Sequence, residues 1–67
     1  MSFAITNEDT NLRTGPGTNY EIRCTVGKNR RVEITDHDGK WARVKVMQGD
    51  YKDKIGWMWY DNLEKDG

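Results

Sequence analysis

The chain has 67 residues, which is enough for one domain and close to the lower limit for folding without disulfides or metals. Its eleven basic and eleven acidic side chains cancel, which argues against nucleic-acid binding because such proteins usually carry a basic excess. The single cysteine, Cys24, excludes an internal disulfide, and no apolar run approaches the roughly 20 residues of a membrane span.

The N-terminal residues lack the basic region and the long apolar region of a signal peptide. We therefore expect either a cytoplasmic protein or a piece of a longer secreted protein. The chain reads as a single domain over residues 1–67. Its ordered part is predicted to cover residues 3–63, and residues 64–67 are predicted to form a frayed tail.

Short apolar alternations separated by Gly, Asn and Asp recur along the chain, and helical periodicity is absent, so the pattern predicts an all-β fold. Residues 3–6 are expected to form a first strand. Asn11-Leu12-Arg13 follows as a brief extended piece with Leu12 pointing inward. The next six residues, 14–19, form the most turn-rich stretch, and they match neither of the common phosphate-binding glycine patterns.

The segment after this loop alternates between apolar and polar residues, which is typical of a half-buried strand. Its apolar positions are Ile22, Cys24 and Val26. Cys24 is most simply interpreted as a small buried hydrophobe. A nucleophilic cysteine would need an activating partner, and the only histidine, His37, lies in a different turn.

Residues 32–46 predict a β-hairpin with Asp38-Gly39 at its tip. A two-residue turn there would set Ile34 opposite Arg43 and place charge against the core on both faces. A register one residue different sets Ile34 opposite Val44 and keeps one face apolar. We therefore predict a three-residue loop, Asp38 to Lys40, or an equivalent bulge.

The same register decides which side chains of the second hairpin strand face the solvent. Ala42, Val44 and Val46 are predicted to point inward, and Trp41, Arg43 and Lys45 outward. Residues 47–54 are polar and predict a second hairpin with an extended tip. Residues 55–60 then hold two of the three tryptophans, Trp57 and Trp59, which share one face of a strand, while Gly56 and Met58 share the other.

Neither metal binding nor catalysis finds support in the remaining residues. His37 lies between Asp36 and Asp38, but neighbours in a strand point to opposite faces, so a solvated turn is the better interpretation. Glycoside cleavage would need two acids facing each other across a cleft, whereas the acids here cluster in turns and in the tail. We predict no cofactor, no metal site and no catalytic residues.

Three segments, in this order and spacing, resemble the bacterial SH3-like domain family. Residues 11–20 read NLRTGPGTNY and resemble the family's N-[VL]-R-[ST]-G-P-[GS]-[TS]-x-[YF]. Residues 40–44, KWARV, resemble its G-x-W-x-[KR]-V motif, and residues 55–58, IGWM, resemble its T-G-W-[VI]. The resemblance covers the chain from about Ile5 to Leu63. The chain departs from the family in its longer second hairpin, in Thr10, and in Trp59 and Tyr60 after the Gly-Trp pair.

The resemblance implies a small SH3-like barrel of five to six short strands in two packed antiparallel sheets. The loop from Thr14 to Tyr20 would flank a shallow groove. By similarity to the wider fold, Trp41 would contact a peptide ligand. Bacterial members commonly bind cell-wall peptide or glycopeptide, so the resemblance implies a non-catalytic binding module.

The candidate ligand-binding residues are Trp41, Trp59, Trp57 and Tyr20. Exposed tryptophans in one patch usually mark an interaction site. Trp57 could instead pack under the Thr14-to-Tyr20 loop, and Tyr20 could pin that loop. Two partners fit the patch: a peptide or wall glycopeptide, or one protein partner of a stand-alone cytoplasmic domain. Nucleic-acid binding through the same face is disfavoured by the zero net charge.

Overall fold

The computed structural model describes residues 2–65. It contains seven strands and one short 3₁₀ turn: β1 Ser2–Thr6, β2 Thr10–Arg13, β3 Ile22–Val26, β4 Arg31–Asp38, β5 Trp41–Val46, β6 Ile55–Trp59, the turn Tyr60–Asn62, and β7 Leu63–Lys65. All neighbouring strands pair antiparallel, in the order β3-β2-β6-β5-β4-β1-β7. None of the described residues belongs to a helix long and apolar enough to cross a membrane.

The predicted all-β, SH3-like architecture is confirmed, with more strands than the five or six expected. The seven strands form one curled, hydrogen-bonded sheet, where two packed sheets were predicted, because β6 pairs with both β2 and β5 and makes the hydrogen bonding continuous. The additional strand is β7, where Glu64 pairs with Ile5 and Lys65 with Ala4. The prediction that fraying begins at Glu64 is therefore wrong for these two residues, because the free edge of β1 supplies backbone partners. The other two tail positions, 66 and 67, lie outside the described residues.

The β4–β5 hairpin has the register that keeps one face apolar. Ile34 pairs with Val44, as predicted. The register then shifts by one residue at Thr35, so that Asp38 pairs with Trp41 across a two-residue turn. The hairpin therefore has a bulge next to a two-residue turn and not a three-residue loop. Such a bulge was the second of the two predicted arrangements.

The core is thin, as the composition requires. Its fully buried apolar side chains come from β1 to β6 and are Ala4, Leu12, Val26, Val32, Ala42, Val44, Val46 and Met58. Leu63 and the half-buried Cys24 pack against this cluster. Ile22 was predicted to point inward but is 47% exposed. The register of β2 and β3 shifts after the Leu12–Cys24 pair, and such a shift moves Ile22 to the opposite face.

Candidate functional site: an aromatic groove on the outer face

The outer face of the sheet carries the aromatic residues of β5 and β6. Along β5 the side chains alternate between half-buried and fully buried positions, with Trp41 half-buried and Ala42 buried. Along β6 the inward positions are Gly56 and Met58, which leaves the tryptophans of this strand outward. The predicted division of both strands between core and surface is therefore confirmed.

Trp41 and Trp59 form the centre of this face. They are directly opposite each other in the β5–β6 ladder. Their ring centroids are 5.3 Å apart and the rings meet at 71°, which is an edge-to-face contact. Such a contact contributes about 0.5–1.5 kcal/mol beyond area burial and holds both rings in one orientation. Trp59 nevertheless stays 37% exposed, so the pair presents an ordered aromatic surface to the solvent.

A groove of about 290 Å³ opens beside this pair. The two indole rings supply the apolar part of its lining, and polar side chains form the remainder. The lining residues are Thr10, Asn11, Arg13, Thr18, Trp41, Trp59 and Asn62. An apolar floor with a few hydrogen-bonding groups around it is typical of sites for small or extended ligands. We call this site the aromatic groove.

Asn62 forms one end of the aromatic groove, and a network of hydrogen bonds fixes its position. Its side-chain amide donates to Oγ1 of Thr10. Its backbone carbonyl oxygen accepts from the backbone N–H of Asn7 at 2.9 Å. The amide of Tyr60 donates to the carbonyl oxygen of Lys40 at 2.6 Å, which ties the 3₁₀ turn to the start of β5. Neither Thr10 nor Asn62 was predicted as a site residue, because only the fold brings residues so distant in the chain together.

Arg13 links the aromatic groove to the loop from Thr14 to Tyr20, which we call the glycine-rich loop. Its Nη1 donates to the carbonyl oxygens of Thr18 at 3.1 Å and Tyr20 at 3.0 Å. One guanidinium thereby holds two backbone positions of the loop and keeps Thr18 at the edge of the groove. The resemblance motif contained this arginine, but no pattern in the sequence indicated what it binds.

Tyr20 lies on the glycine-rich loop itself and is 43% exposed. Its ring lies against the backbone of Gly15, where a Cβ atom would come within 2.4 Å of the Tyr20 ring, and also against Gly17. Of its two predicted roles, this contact matches the one in which Tyr20 pins the loop. A direct contact with ligand stays a prediction.

Trp57 shares the outer face with the other two tryptophans but borders a different cavity. It pairs with Arg43 on β5 and with Arg13 on β2. It lines a cleft next to the aromatic groove, together with Thr14 and Arg43. The structure therefore brings Trp41 and Trp59 into one groove and leaves Trp57 in the neighbouring cleft.

Cys24 and His37 line neither the groove nor the neighbouring cleft. Burial raises the pKa of the Cys24 thiol, and the nearby charges of Lys54 and Arg23 offset part of that rise. His37 lies in the exposed end of β4, with its ring centroid 6.2 Å from that of Tyr60. Within residues 2–65, no three His, Cys, Asp or Glu side chains are grouped as a metal site would require.

Comparison with known proteins agrees with this architecture. The model of the family described as "Bacterial SH3 domain" matches residues 8–64. The chain is also 32% identical over 54 residues to YrvJ of Bacillus subtilis (strain 168), which is named as an N-acetylmuramoyl-L-alanine amidase. That alignment covers 81% of this chain and 10% of the relative, so the chain spans about a tenth of the relative's length. No solved structure matches the chain significantly. The chain belongs to the bacterial SH3 domain family.

Proposed function

We propose that the chain is a non-catalytic binding module that holds a peptide or a cell-wall glycopeptide in the aromatic groove. The observation that carries the proposal is the edge-to-face pair of Trp41 and Trp59 at the groove floor. Their ladder partnership and mutual contact order the two rings before a ligand arrives. A pre-ordered aromatic surface loses little conformational entropy on binding, which favours affinity.

The polar edge of the aromatic groove suits an extended polar ligand. Asn11 and Asn62 can each donate and accept hydrogen bonds, and Thr18 offers a hydroxyl group. A peptide backbone or a sugar presents donors and acceptors along its length and needs such partners on both sides. The indole faces would meanwhile take the apolar face of a sugar ring or an aliphatic side chain.

Two further points support a binding role. The residues that line the aromatic groove include no carboxylate, thiol or imidazole, so the groove holds none of the usual proton-transfer groups. Domains of the bacterial SH3 family are commonly cell-wall binding modules. The similar B. subtilis protein is named for an enzyme that acts at N-acetylmuramoyl-L-alanine, and this chain corresponds to only a tenth of it.

The test is co-sedimentation of the purified chain with insoluble peptidoglycan. We expect the wild-type chain to pellet and Trp59→Ala to weaken binding by about 10- to 30-fold, the loss typical of an aromatic residue at a binding hot spot. Trp41→Ala should have a similar effect. Circular dichroism of each variant checks that it still folds.

Tyr51→Ala is the matched control. Tyr51 is 40% exposed, close to the value for Trp59, but it lies in the loop between β5 and β6 and borders a different cavity. It should bind like the wild type. If the wild type stays in the supernatant while a single protein partner requires Trp41 and Trp59, the groove binds protein and the wall proposal is wrong.

A further inference from the structure

The cleft beside Trp57 is separate from the aromatic groove and differs from it in charge. Its volume is about 470 Å³. It is lined by the residues Thr14, Arg23, Arg43, Asp53, Lys54, Ile55, Gly56 and Trp57. Three of these side chains are cationic and one is anionic. We call this site the cationic cleft.

The positive charge of the cationic cleft comes from its own lining residues, since the whole chain has a formal net charge of zero. Its one carboxylate, Asp53, lies 3.9 Å from Nζ of Lys45, which offsets that negative charge. Arg43 donates from Nη1 to Oγ1 of Thr35 at 3.2 Å, which orients its guanidinium but adds no negative charge. Among the described residues, neither Arg23 nor Lys54 has a hydrogen bond or an ion pair from its side chain.

Arg23 and Lys54 come from distant parts of the chain and border the same cleft. Both cations also lower the pKa of the Cys24 thiol, against the opposing effect of burial. Arg23 is also the residue at the register shift of β3. It keeps the outward position that alternation from Cys24 gives it, so its side chain borders the cleft on the outer face.

The cationic cleft and the aromatic groove adjoin on one face of the sheet. β2 meets β6 through a single residue pair, Arg13 with Trp57. Arg13 lines the aromatic groove and Trp57 lines the cationic cleft, so the two sites flank this pair. From Ile55 to Trp59 a strand advances about 13 Å, which an extended peptide of about four residues can span.

We infer that the cationic cleft binds a carboxylate group of a peptide, with Arg23, Arg43 and Lys54 around the carboxylate and Trp57 against the adjoining apolar part of the ligand. Guanidinium groups bind carboxylates through paired, charge-assisted hydrogen bonds. Asp53 adds an acceptor for a peptide N–H. A phosphate polymer has no such N–H donor to offer to Asp53. This inference deepens the proposed function, since it names a chemical group on the ligand held by the same face.

The site is tested first with two short peptides, acetyl-Ala-Glu-Ala-amide and acetyl-Ala-Gln-Ala-amide. Binding is followed by NMR at the indole N–H of Trp57. We expect the Glu peptide to bind about tenfold more tightly, the difference that a charge-assisted hydrogen bond typically makes. The double variant Arg23→Gln, Lys54→Gln should lose this difference. The control Lys28→Gln, Lys65→Gln makes the same change in net charge elsewhere and should keep it.

Three results would overturn the inference. The two peptides could bind equally well, the shifts could be confined to Trp41 and Trp59, or inorganic phosphate could bind at Trp57 more tightly than the Glu peptide does. The last result would assign the cleft to a phosphate polymer.

A second measurement separates this inference from the proposed function. Peptidoglycan whose carboxylates have been converted to amides should pellet less wild-type chain than native peptidoglycan does. If the peptides do not discriminate but native and amidated peptidoglycan pellet the chain equally, the groove proposal stands and the carboxylate site is wrong. If peptidoglycan pellets nothing but the Glu peptide is preferred at Trp57, the carboxylate site stands and the wall ligand is wrong.

Discussion

The carbonyl oxygen of Arg13 on β2 lies so close to Gly56 on β6 that a Cβ atom at Gly56 would stand 2.7 Å from it. The same Cβ would lie 2.8 Å from Cγ of Leu12, a fully buried core residue. Neither neighbour can move freely, because one is backbone and the other is packed in the core. Gly56 is therefore required for the approach of the two strands, and not for an unusual backbone angle.

Gly56→Ala is expected to destabilise the fold by about 1–3 kcal/mol, the usual effect of overpacking a core. For a domain of this size that corresponds to a fall in Tm of roughly 4–8 °C for each kcal/mol. Thermal unfolding followed by circular dichroism measures it. Gly27→Ala is the control, since a Cβ there meets only Oδ1 of Asp9 at 4.0 Å and should leave Tm nearly unchanged.

Thr6 is expected to be a second sensitive position. It is fully buried, and its Oγ1 donates to the carbonyl oxygen of Gly27 at 2.7 Å and accepts from the amide of Arg30 at 2.9 Å. Thr6→Val keeps the shape but leaves these groups without their partner, so we expect a loss of about 1–3 kcal/mol in denaturant unfolding. Thr6→Ser keeps the hydroxyl and should lose less. A larger loss for Thr6→Ser than for Thr6→Val would show that the methyl group, and not the hydrogen bonds, matters here.

Arg13→Lys should loosen the glycine-rich loop while the rest of the sheet stays intact. Both loop carbonyls accept from the single nitrogen Nη1 of Arg13, whose two N–H groups are fixed in the guanidinium plane. A lysine ammonium rotates freely on a flexible stem and does not hold its donors in such a plane. We expect faster amide hydrogen exchange within residues 14–20 and unchanged exchange in β4 and β5. Faster exchange throughout the sheet would mean that Arg13 supports the whole fold.

Tyr20 is expected to act through its ring and not through its hydroxyl group. Because the ring lies against Gly15, Tyr20→Phe should preserve both loop exchange rates and peptidoglycan binding. Tyr20→Ala should speed exchange in the loop, and Gly15→Ala should do the same by displacing the ring. Loss of binding in Tyr20→Phe with an intact loop would instead identify the hydroxyl as a ligand contact.

The Cys24 thiol should react slowly with iodoacetamide near pH 8. Burial raises its pKa, so the thiolate fraction in the folded chain is below that of the unfolded chain. The unfolded state loses this proton first, so the thiol's contribution to stability is lost as pH rises from the unfolded pKa through the folded one. Arg23→Gln, Lys54→Gln removes two charges that lower this pKa and should slow alkylation further. An unchanged alkylation rate would show that these cations do not act on the thiol.

The alternation of inward and outward side chains along each strand predicted most of the regular features of this fold. The inward positions of β5 and β6 and the pairing of Ile34 with Val44 followed from the requirement that one face stay apolar. The prediction that Ile22 points inward was wrong because a bulge in β3 reverses the alternation. No residue type in that strand indicates a bulge. β7 was missed because its partner strand, β1, lies at the other end of the chain.

The candidate site was predictable only in outline. Alternation placed the three tryptophans on one face, and the register then decided that Trp59, and not Trp57, stands opposite Trp41. The polar side of the groove depends on contacts between residues as distant as Thr10 and Asn62, which a linear pattern does not encode. The cationic cleft likewise depends on the fold, which brings Arg23 of β3, Arg43 of β5 and Trp57 of β6 into one lining.

β2 and β6 share a single residue pair, which is the shortest ladder among the described strand pairs, and we call this line the seam. A pairing of only one residue pair should open before the longer strand pairings do, and its backbone amides should exchange through local opening. A ligand that spans the aromatic groove and the cationic cleft would lie across the seam and hold its two sides together. Occupancy of this face should then slow exchange along β2 and β6 specifically, so that binding also determines how the domain resists being pulled apart.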